Sequence, residues 1–141
     1  YLMRLTTFTD YGLRMLMRMA SAPERAFSTA ELAEEFGLSR NHLSKIMQRL
    51  ARAEIVRTRR GGGGGAVLAQ PADQLRLGTI VAVLEKDQPI VECFGSAHSD
   101  CTISRRCRLK VRLRAAEQAF LADLDRSTLA DITLADSLTP A

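Results

Sequence analysis

The spacing of apolar residues predicts a first helix over residues 7–22. Apolar side chains recur there at intervals of three and four, as they do on one face of a helix: Leu13, Leu16, Met17 and Ala20. Thr7 and Asp10, three residues apart, form an approximate capping box and predict Thr7 as the N-terminal cap. A second apolar stripe runs beside the first, and we therefore expect this helix to be buried between other elements.

The next two helices are predicted by their terminal residues. Ser28 and Glu31 form a capping box, and Gly37 stands where a helix ends in the left-handed conformation. Ser39 then caps a third helix that reaches about Ala53 and has four apolar positions: Leu43, Ile46, Met47 and Leu50. Two short helices joined by a tight turn that contains glycine are typical of a helix-turn-helix.

A β-hairpin is predicted directly after the helix-turn-helix. Residues 55–60 have the pattern of a strand, residues 61–65 are all glycine, and residues 66–69 predict a second strand that Pro71 closes. A hairpin in this position corresponds to the wing of a winged helix-turn-helix.

Two further helices, separated by an aperiodic segment, are predicted in the second half of the chain. Helical spacing returns over residues 75–86 and again over residues 108–125, whereas residues 88–106 have no periodicity. The long second helix carries apolar residues at roughly heptad spacing: Leu109, Leu113, Ala116, Phe120 and Leu124. This stripe either packs against the chain's own core or pairs with a second copy in a two-fold dimer.

The predicted fold class is mainly α with a small β-hairpin, a winged helix-turn-helix followed by a long C-terminal dimerisation helix. Residues 1–74 form the DNA-binding region, residues 75–107 the connecting helix and a cysteine-bearing segment, and residues 108–141 the dimerisation helix and tail. The length of 141 residues suits one compact domain overall.

Composition narrows the class of protein. A hydrophobic content of 46% excludes a disordered chain. The sequence contains neither a run of about 20 apolar residues nor the pattern of a signal peptide, and we therefore expect a cytoplasmic protein without a membrane span. Neither His42 nor His98 has a predictable nucleophile or carboxylate partner, so we expect no enzymatic activity.

Positive charge is concentrated around the third helix and the hairpin. The net charge is +4, and between residues 40 and 60 the one acidic residue, Glu54, stands against seven basic ones: Arg40, Lys45, Arg49, Arg52, Arg57, Arg59 and Arg60. Such a cluster favours a polyanion such as double-stranded DNA as the partner.

The third helix has the side chains of a recognition helix. Its N-terminal residues, which would face base edges in the major groove, are Ser39, Arg40, Asn41 and His42, with Lys45 one turn further on. Arginine pairs with guanine and asparagine with adenine, while Lys45, Arg49 and Arg52 suit phosphates. A polar, basic helix face is also often merely solvated, and the DNA-binding interpretation depends on its combination with the wing.

The predicted wing begins with two arginines. Arg59 and Arg60 precede the glycine run, whose first residues, Gly61 and Gly62, have no side chains to hold the backbone away from a narrow groove. Arginine in the minor groove is a known way of reading DNA shape. A run of glycines alone is more often a flexible loop.

The three cysteines form a cluster: Cys93, Cys101 and Cys107. An odd number of cysteines in a chain that we expect to be cytoplasmic is a poor disulfide framework and favours a metal or redox site. Thiolates suit iron–sulfur clusters and zinc, both of which usually take four ligands. The fourth ligand could be His98, which would complete a zinc site, or Asp10 on the first helix, and three free cysteines are the remaining alternative.

Several segments together resemble one family over nearly the whole chain. They are residues 5–14 and 39–43, the wing at 60–65, the spaced cysteines leading into residues 107–110, and residues 120–125 and 128–131. These residues resemble those of the Rrf2 family of winged-helix repressors, and within it the nitric-oxide-sensing branch.

The resemblance implies a homodimer that carries one 4Fe–4S cluster in each subunit. Cys93, Cys101 and Cys107 would be ligands, with Asp10 of the partner subunit as the fourth. Nitrosylation of the cluster by nitric oxide would then release DNA. The gap of seven residues after Cys93, where the family usually has five, leaves a 2Fe–2S cluster or zinc, and ligation by His98, as alternatives.

Overall fold

The computed structural model describes residues 5–59, 65–86 and 108–133. In chain order these residues form α1 (Thr7–Ser21), α2 (Thr29–Phe36), α3 (Arg40–Arg52), β1 (Val56–Arg59), β2 (Gly65–Leu68), a 3-10 turn (Ala72–Gln74), α4 (Leu77–Leu84), α5 (Arg108–Leu124) and α6 (Leu129–Ile132). The predicted fold class, mainly helical with one antiparallel hairpin, is confirmed.

The predicted cap of α1 is wrong by one residue. Thr6, in extended conformation, is the N-terminal cap, and its hydroxyl oxygen accepts a hydrogen bond from the Thr9 backbone N–H at 3.2 Å. Thr7 lies inside the helix. The helix is buried between other elements, as predicted, through side chains on both apolar stripes: Met15, Leu16, Met19 and Ala20.

The helix-turn-helix has the predicted local geometry. The Ser28 hydroxyl accepts from the Glu31 N–H at 3.0 Å, and the Glu31 carboxylate accepts from the Ser28 N–H at 3.3 Å. Gly37 has a φ of 66°, in the left-handed region that a glycine adopts without steric cost. The four apolar residues of α3 are all buried and pack in the core with α1 and α2.

The loop before α2 pairs with the outer edge of the hairpin. Strands β1 and β2 pair antiparallel, with Thr58 opposite Ala66. Ala66 also exchanges two backbone hydrogen bonds with Phe27, at 2.9 and 2.8 Å. A Cβ atom on Gly65 would lie 2.6 Å from the Phe27 carbonyl oxygen, so this close approach requires glycine.

The N-terminus of α4 is hydrogen-bonded to the residues that directly follow α5. The Asp125 carboxylate accepts from the Thr79 backbone N–H at 2.8 Å, and the Ser127 carbonyl accepts from the Leu77 N–H at 3.0 Å. On the other side of α4, four apolar side chains are buried as predicted: Leu77, Ile80, Val81 and Leu84. Helix α4 therefore lies between the core and α5.

Helix α5 has the predicted length, and Leu124, at the C-terminal end of its apolar stripe, packs against the core. None of its residues is buried within the described ranges, and Leu109 and Val111 are 61% and 68% exposed. Within the described residues the stripe is therefore not fully covered, because the contacts of α5 with α4 involve its C-terminal end. Among the described helices, none is long and apolar enough to cross a membrane.

Candidate nucleic-acid interface

Four of the five exposed side chains of α3 form one stripe, which we call the recognition face. It consists of Asn41, Lys45, Gln48 and Arg52, spaced by four, three and four residues. Such spacing places side chains above one another on a helix. The stripe lies opposite the buried face of Leu43, Ile46 and Leu50. Helix α3 therefore presents a continuous polar and basic surface while its apolar face holds it in the core.

The N-terminus of α3 is also accessible. Ser39 and Arg40 are exposed, and the Ser39 hydroxyl accepts from the His42 backbone N–H at 3.3 Å. This cap fixes the start of the helix, so that Arg40 and Asn41 occupy its first turn. In a helix-turn-helix, side chains of the first turn are the ones that approach base edges.

Gln48 was not among the residues singled out from the sequence. Its amide is exposed on the recognition face, between Lys45 and Arg52. The signal was present in the helical spacing, because residues 41, 45 and 48 must share a face in any helix. Glutamine, like asparagine, can pair bidentately with adenine.

His42 has a different environment from the rest of the first turn. Its ring is half-buried and faces Tyr11 of α1 edge-on, with ring centroids 5.3 Å apart, and its centroid lies 6.1 Å from that of Phe8. The structure thus places His42 between α3 and α1, and a DNA contact by His42 stays a prediction.

Arg49 also turns away from the recognition face. Its guanidinium lies over the Phe8 ring, 4.6 Å from the centroid, and donates to the Leu84 carbonyl oxygen at 3.3 Å. Arg49 and Arg52 stand three residues apart, yet Arg52 is exposed and Arg49 is half-buried. The two arginines therefore have different environments despite their identical chemistry.

The wing adds positive charge beside α3. Arg57, Thr58 and Arg59 are exposed on β1. The predicted wing residues Arg60, Gly61 and Gly62 lie outside the described residues.

Glu54, which precedes β1, has a φ of 62°, a left-handed conformation that is unfavourable for a residue with a Cβ atom.

Of the predicted cluster ligands, Asp10 lies within the residues that the structure describes. Cys93, His98, Cys101 and Cys107 all lie outside the described residues. Asp10 lies on the first turn of α1, with 49% of its side chain exposed, and its carboxylate pairs with Arg14 at 3.0 Å. Within the described ranges there is no group of three histidine, cysteine or acidic residues that could hold a metal ion.

Comparison with known proteins decides the family. Residues 5–135 match the Rrf2 family model, which is described as an iron-dependent transcriptional regulator. The chain belongs to the Rrf2 family. As an Rrf2 protein with a winged-helix fold, it is a DNA-binding transcriptional regulator and not an enzyme.

Several solved structures of regulators share the fold of this Rrf2 protein. IscR of T. potens is 25% identical with a TM-score of 0.70, over 92% of this chain and 85% of that one. CymR (YrzC), the global cysteine regulator of B. subtilis, is 27% identical with a TM-score of 0.65, over 93% of this chain and 96% of that one. CymR of Staphylococcus aureus is 29% identical with a TM-score of 0.62, over 88% and 93% of the two chains.

Proposed function

We propose that this Rrf2 regulator is a repressor that acts in the cytoplasm and releases DNA when nitric oxide reacts with an iron–sulfur cluster. The observation that carries the DNA-reading part is the recognition face of α3, which is exposed opposite a buried face. The sensing part is supported by the family's description as iron-dependent. It is also supported by the likeness of residues 39–42 and 107–110 to those of NsrR-type nitric oxide sensors.

The recognition face suits a B-DNA major groove. Asn41 and Gln48 have amides that can pair with adenine, and Arg40 can pair with guanine. Lys45 and Arg52 lie on the same face and suit phosphates, which determine position and the dependence of binding on salt.

The wing supplies the second proposed DNA contact. Arg59 is exposed at the end of β1, and the chain continues from there through Arg60, Gly61 and Gly62. We assign this stretch to the minor groove, where arginine responds to groove width.

The proposed cluster ligands are three thiolates and one carboxylate. Cys93, Cys101 and Cys107 supply the thiolates, and Asp10 of the partner subunit supplies the fourth ligand. The Asp10 carboxylate fits this role because it is half exposed and its ion-pair partner, Arg14, is itself exposed, so a second molecule can approach it. A 4Fe–4S cluster would supply irons that react with nitric oxide.

A second copy of this chain is the proposed partner of α5. The exposed Leu109 and Val111 belong to the first turn of a helix none of whose described residues is buried. Exposed apolar side chains on a 17-residue helix are suited to pairing with a copy of the same helix. A two-fold dimer would also place two α3 helices so that they read two half-sites, about 34 Å apart.

The proposal is tested with protein purified without oxygen. Its visible spectrum and its affinity for a duplex selected from a random pool are measured before and after addition of nitric oxide. We expect a coloured protein whose spectrum changes and whose Kd rises on nitric oxide treatment. The Asp10→Ala variant should have an altered spectrum and response. Asp123→Ala, which removes another exposed, ion-paired carboxylate, is the matched control.

Two other outcomes would replace the proposal. A colourless protein with stoichiometric zinc would indicate a zinc-stapled regulator, with His98 as the fourth ligand. A coloured protein whose DNA affinity is unaffected by nitric oxide would indicate sensing of redox or iron–sulfur status. The similarity to CymR of Staphylococcus aureus, one structure of which is described as its oxidized form, favours this as the second candidate.

A further inference from the structure

Three helices meet at the C-terminal end of α4. We call Leu84 and Glu85, the last residue of this helix and its C-terminal cap, the α4 turn. Arg49 of α3 donates to the Leu84 carbonyl oxygen at 3.3 Å and lies over the Phe8 ring of α1 at 4.6 Å. One side chain of the recognition helix therefore contacts both α1 and α4.

Glu85 joins the same turn to the first turn of α1. Its Oε2 atom accepts from the Thr6 backbone N–H at 2.9 Å, from the Thr6 hydroxyl at 2.6 Å, and from the hydroxyl of the fully buried Thr9. A carboxylate is favourable there because the N-terminus of a helix carries partial positive charge. Helix α1 cannot shift along α4 without breaking charge-assisted hydrogen bonds.

The environment of Arg49 is suited to positioning rather than to DNA contact. Its planar guanidinium stacks on an aromatic ring and also donates to one of the last carbonyls of a helix, where a cation is stabilised. A lysine at this position would keep the charge but could not reproduce both contacts. Arg52, one turn further on, is exposed and offers a direct comparison.

We infer that Arg49 is a positioning residue of the recognition helix, and that the α4 turn couples the cysteine-bearing segment to α3. Cys93 follows Glu85 by eight residues, and Asp10 directly follows Thr9 on α1. Both proposed sources of cluster ligands are thus connected to the turn that holds Arg49. The role of Arg49 is independent of the cluster, whereas the coupling rests on the proposed function.

The role of Arg49 is tested by the salt dependence of DNA binding. Arg49→Met, Arg49→Lys and Arg52→Met are compared with the wild type on the same selected duplex over a range of KCl concentrations. For Arg52→Met, we expect the slope of log K against log[KCl] to fall by about 0.9 for each phosphate that the variant no longer neutralises. For both Arg49 variants, we expect binding to weaken by about 2- to 30-fold with the wild-type slope.

Three results would overturn this role. They are a reduced slope in Arg49→Met, full affinity in Arg49→Lys, and unchanged affinity in both variants. The first two would indicate that Arg49 binds a phosphate, which requires only the charge. Thermal melts of each variant establish that the compared proteins are folded.

The coupling is tested with Glu85→Gln and Thr9→Val. The readout is the ratio of Kd after nitric oxide treatment to Kd before it, at equal cluster absorbance. We expect this ratio to fall by about 2- to 30-fold in both variants. Thr9→Ser keeps the hydroxyl and should retain the wild-type ratio, as should Asp123→Asn, which removes an exposed charge elsewhere.

The outcomes separate the coupling from the proposed function. An unchanged ratio in Glu85→Gln and Thr9→Val would overturn the coupling. If Glu85→Gln does not fold, the Thr9 pair decides the question alone. A wild-type protein that has no nitric oxide response contradicts the proposed function and with it the coupling, while the salt measurements still decide the role of Arg49.

Discussion

Replacement of Gly78 by alanine should destabilise the protein, although alanine is the better helix former. Gly78 is the second residue of α4. Helix propensity alone favours alanine over glycine by about 1 kcal/mol in a helix interior. However, a Cβ atom on Gly78 would lie 2.6 Å from the Asp125 carboxylate oxygen and closer still to the Leu121 carbonyl oxygen. The substitution therefore opposes the packing of α5 on α4.

The magnitude follows from the displacement that the new methyl group requires. Ordinary contact begins at 3.4 Å, so the Asp125 carboxylate must retreat by about 0.8 Å from its 2.6 Å position. That movement lengthens the hydrogen bond from the Thr79 N–H, now 2.8 Å. Overpacking costs about 1–3 kcal/mol and the loss of a hydrogen bond to a charged group about 1.5–3, which leaves a net loss of about 1.5–5 kcal/mol after the gain in propensity.

Urea unfolding followed by circular dichroism measures this loss. All variants are compared at one protein concentration, because the proposed dimerisation would link stability to concentration. Gly37→Ala is the matched control: its φ of 66° is left-handed, but no atom lies within 4 Å of the new Cβ. We expect it to lose only about 1–2 kcal/mol. Gly78→Ala with wild-type stability or better would refute the close approach of α4 and α5.

Three further changes test local features by the same urea assay. Ser28→Ala removes the hydroxyl of the capping box and should cost about 1 kcal/mol; no change would mean that water replaces the cap. Glu54→Gly removes a left-handed strain of about 1–2 kcal/mol at the expense of about 0.4–1 in unfolded-chain entropy, and should stabilise slightly; a lower urea midpoint would contradict the φ of 62°. Phe27→Leu removes a ring whose centroid lies 4.9 Å from the guanidinium of Arg18 and 4.5 Å from that of Arg25. It should lower the free energy of unfolding by about 2 kcal/mol. A loss smaller than the measurement error would mean that these cation–π contacts do not stabilise the protein.

Local capping chemistry made much of the fold predictable. The predicted cap of α1 was wrong because a distant residue takes part in the capping. Ser28 and Glu31 satisfy each other's backbone groups within four residues, so no distant contact is needed to recognise them. Thr6 and Thr7 offer the same hydroxyl at adjacent positions. When Thr6 is the cap, its hydroxyl also donates a hydrogen bond to the carboxylate of Glu85, 79 residues away in the chain, and spacing near the N-terminus does not reveal this partner.

The candidate interface was predictable as a region but not residue by residue. Arg49 and Arg52 are the same residue type on the same helix, and the sequence analysis assigned both to phosphates. Arg49 flanks the apolar face, where α1 and α4 provide an aromatic ring and a carbonyl oxygen. His42 likewise meets two aromatic rings of α1. These partners are distant in sequence, and no local pattern specifies them.

Helix spacing, capping residues and turn glycines were enough to predict a winged helix-turn-helix with a basic third helix, because these signals act between residues close in the chain. Tertiary structure decided which basic side chains are exposed and which contact neighbouring helices. An arginine has an apolar stem, a planar surface and a charge, and therefore serves equally well on a surface or at a helix junction. Only the packing of α1 and α4 around Arg49 distinguishes it from Arg52, which faces solvent.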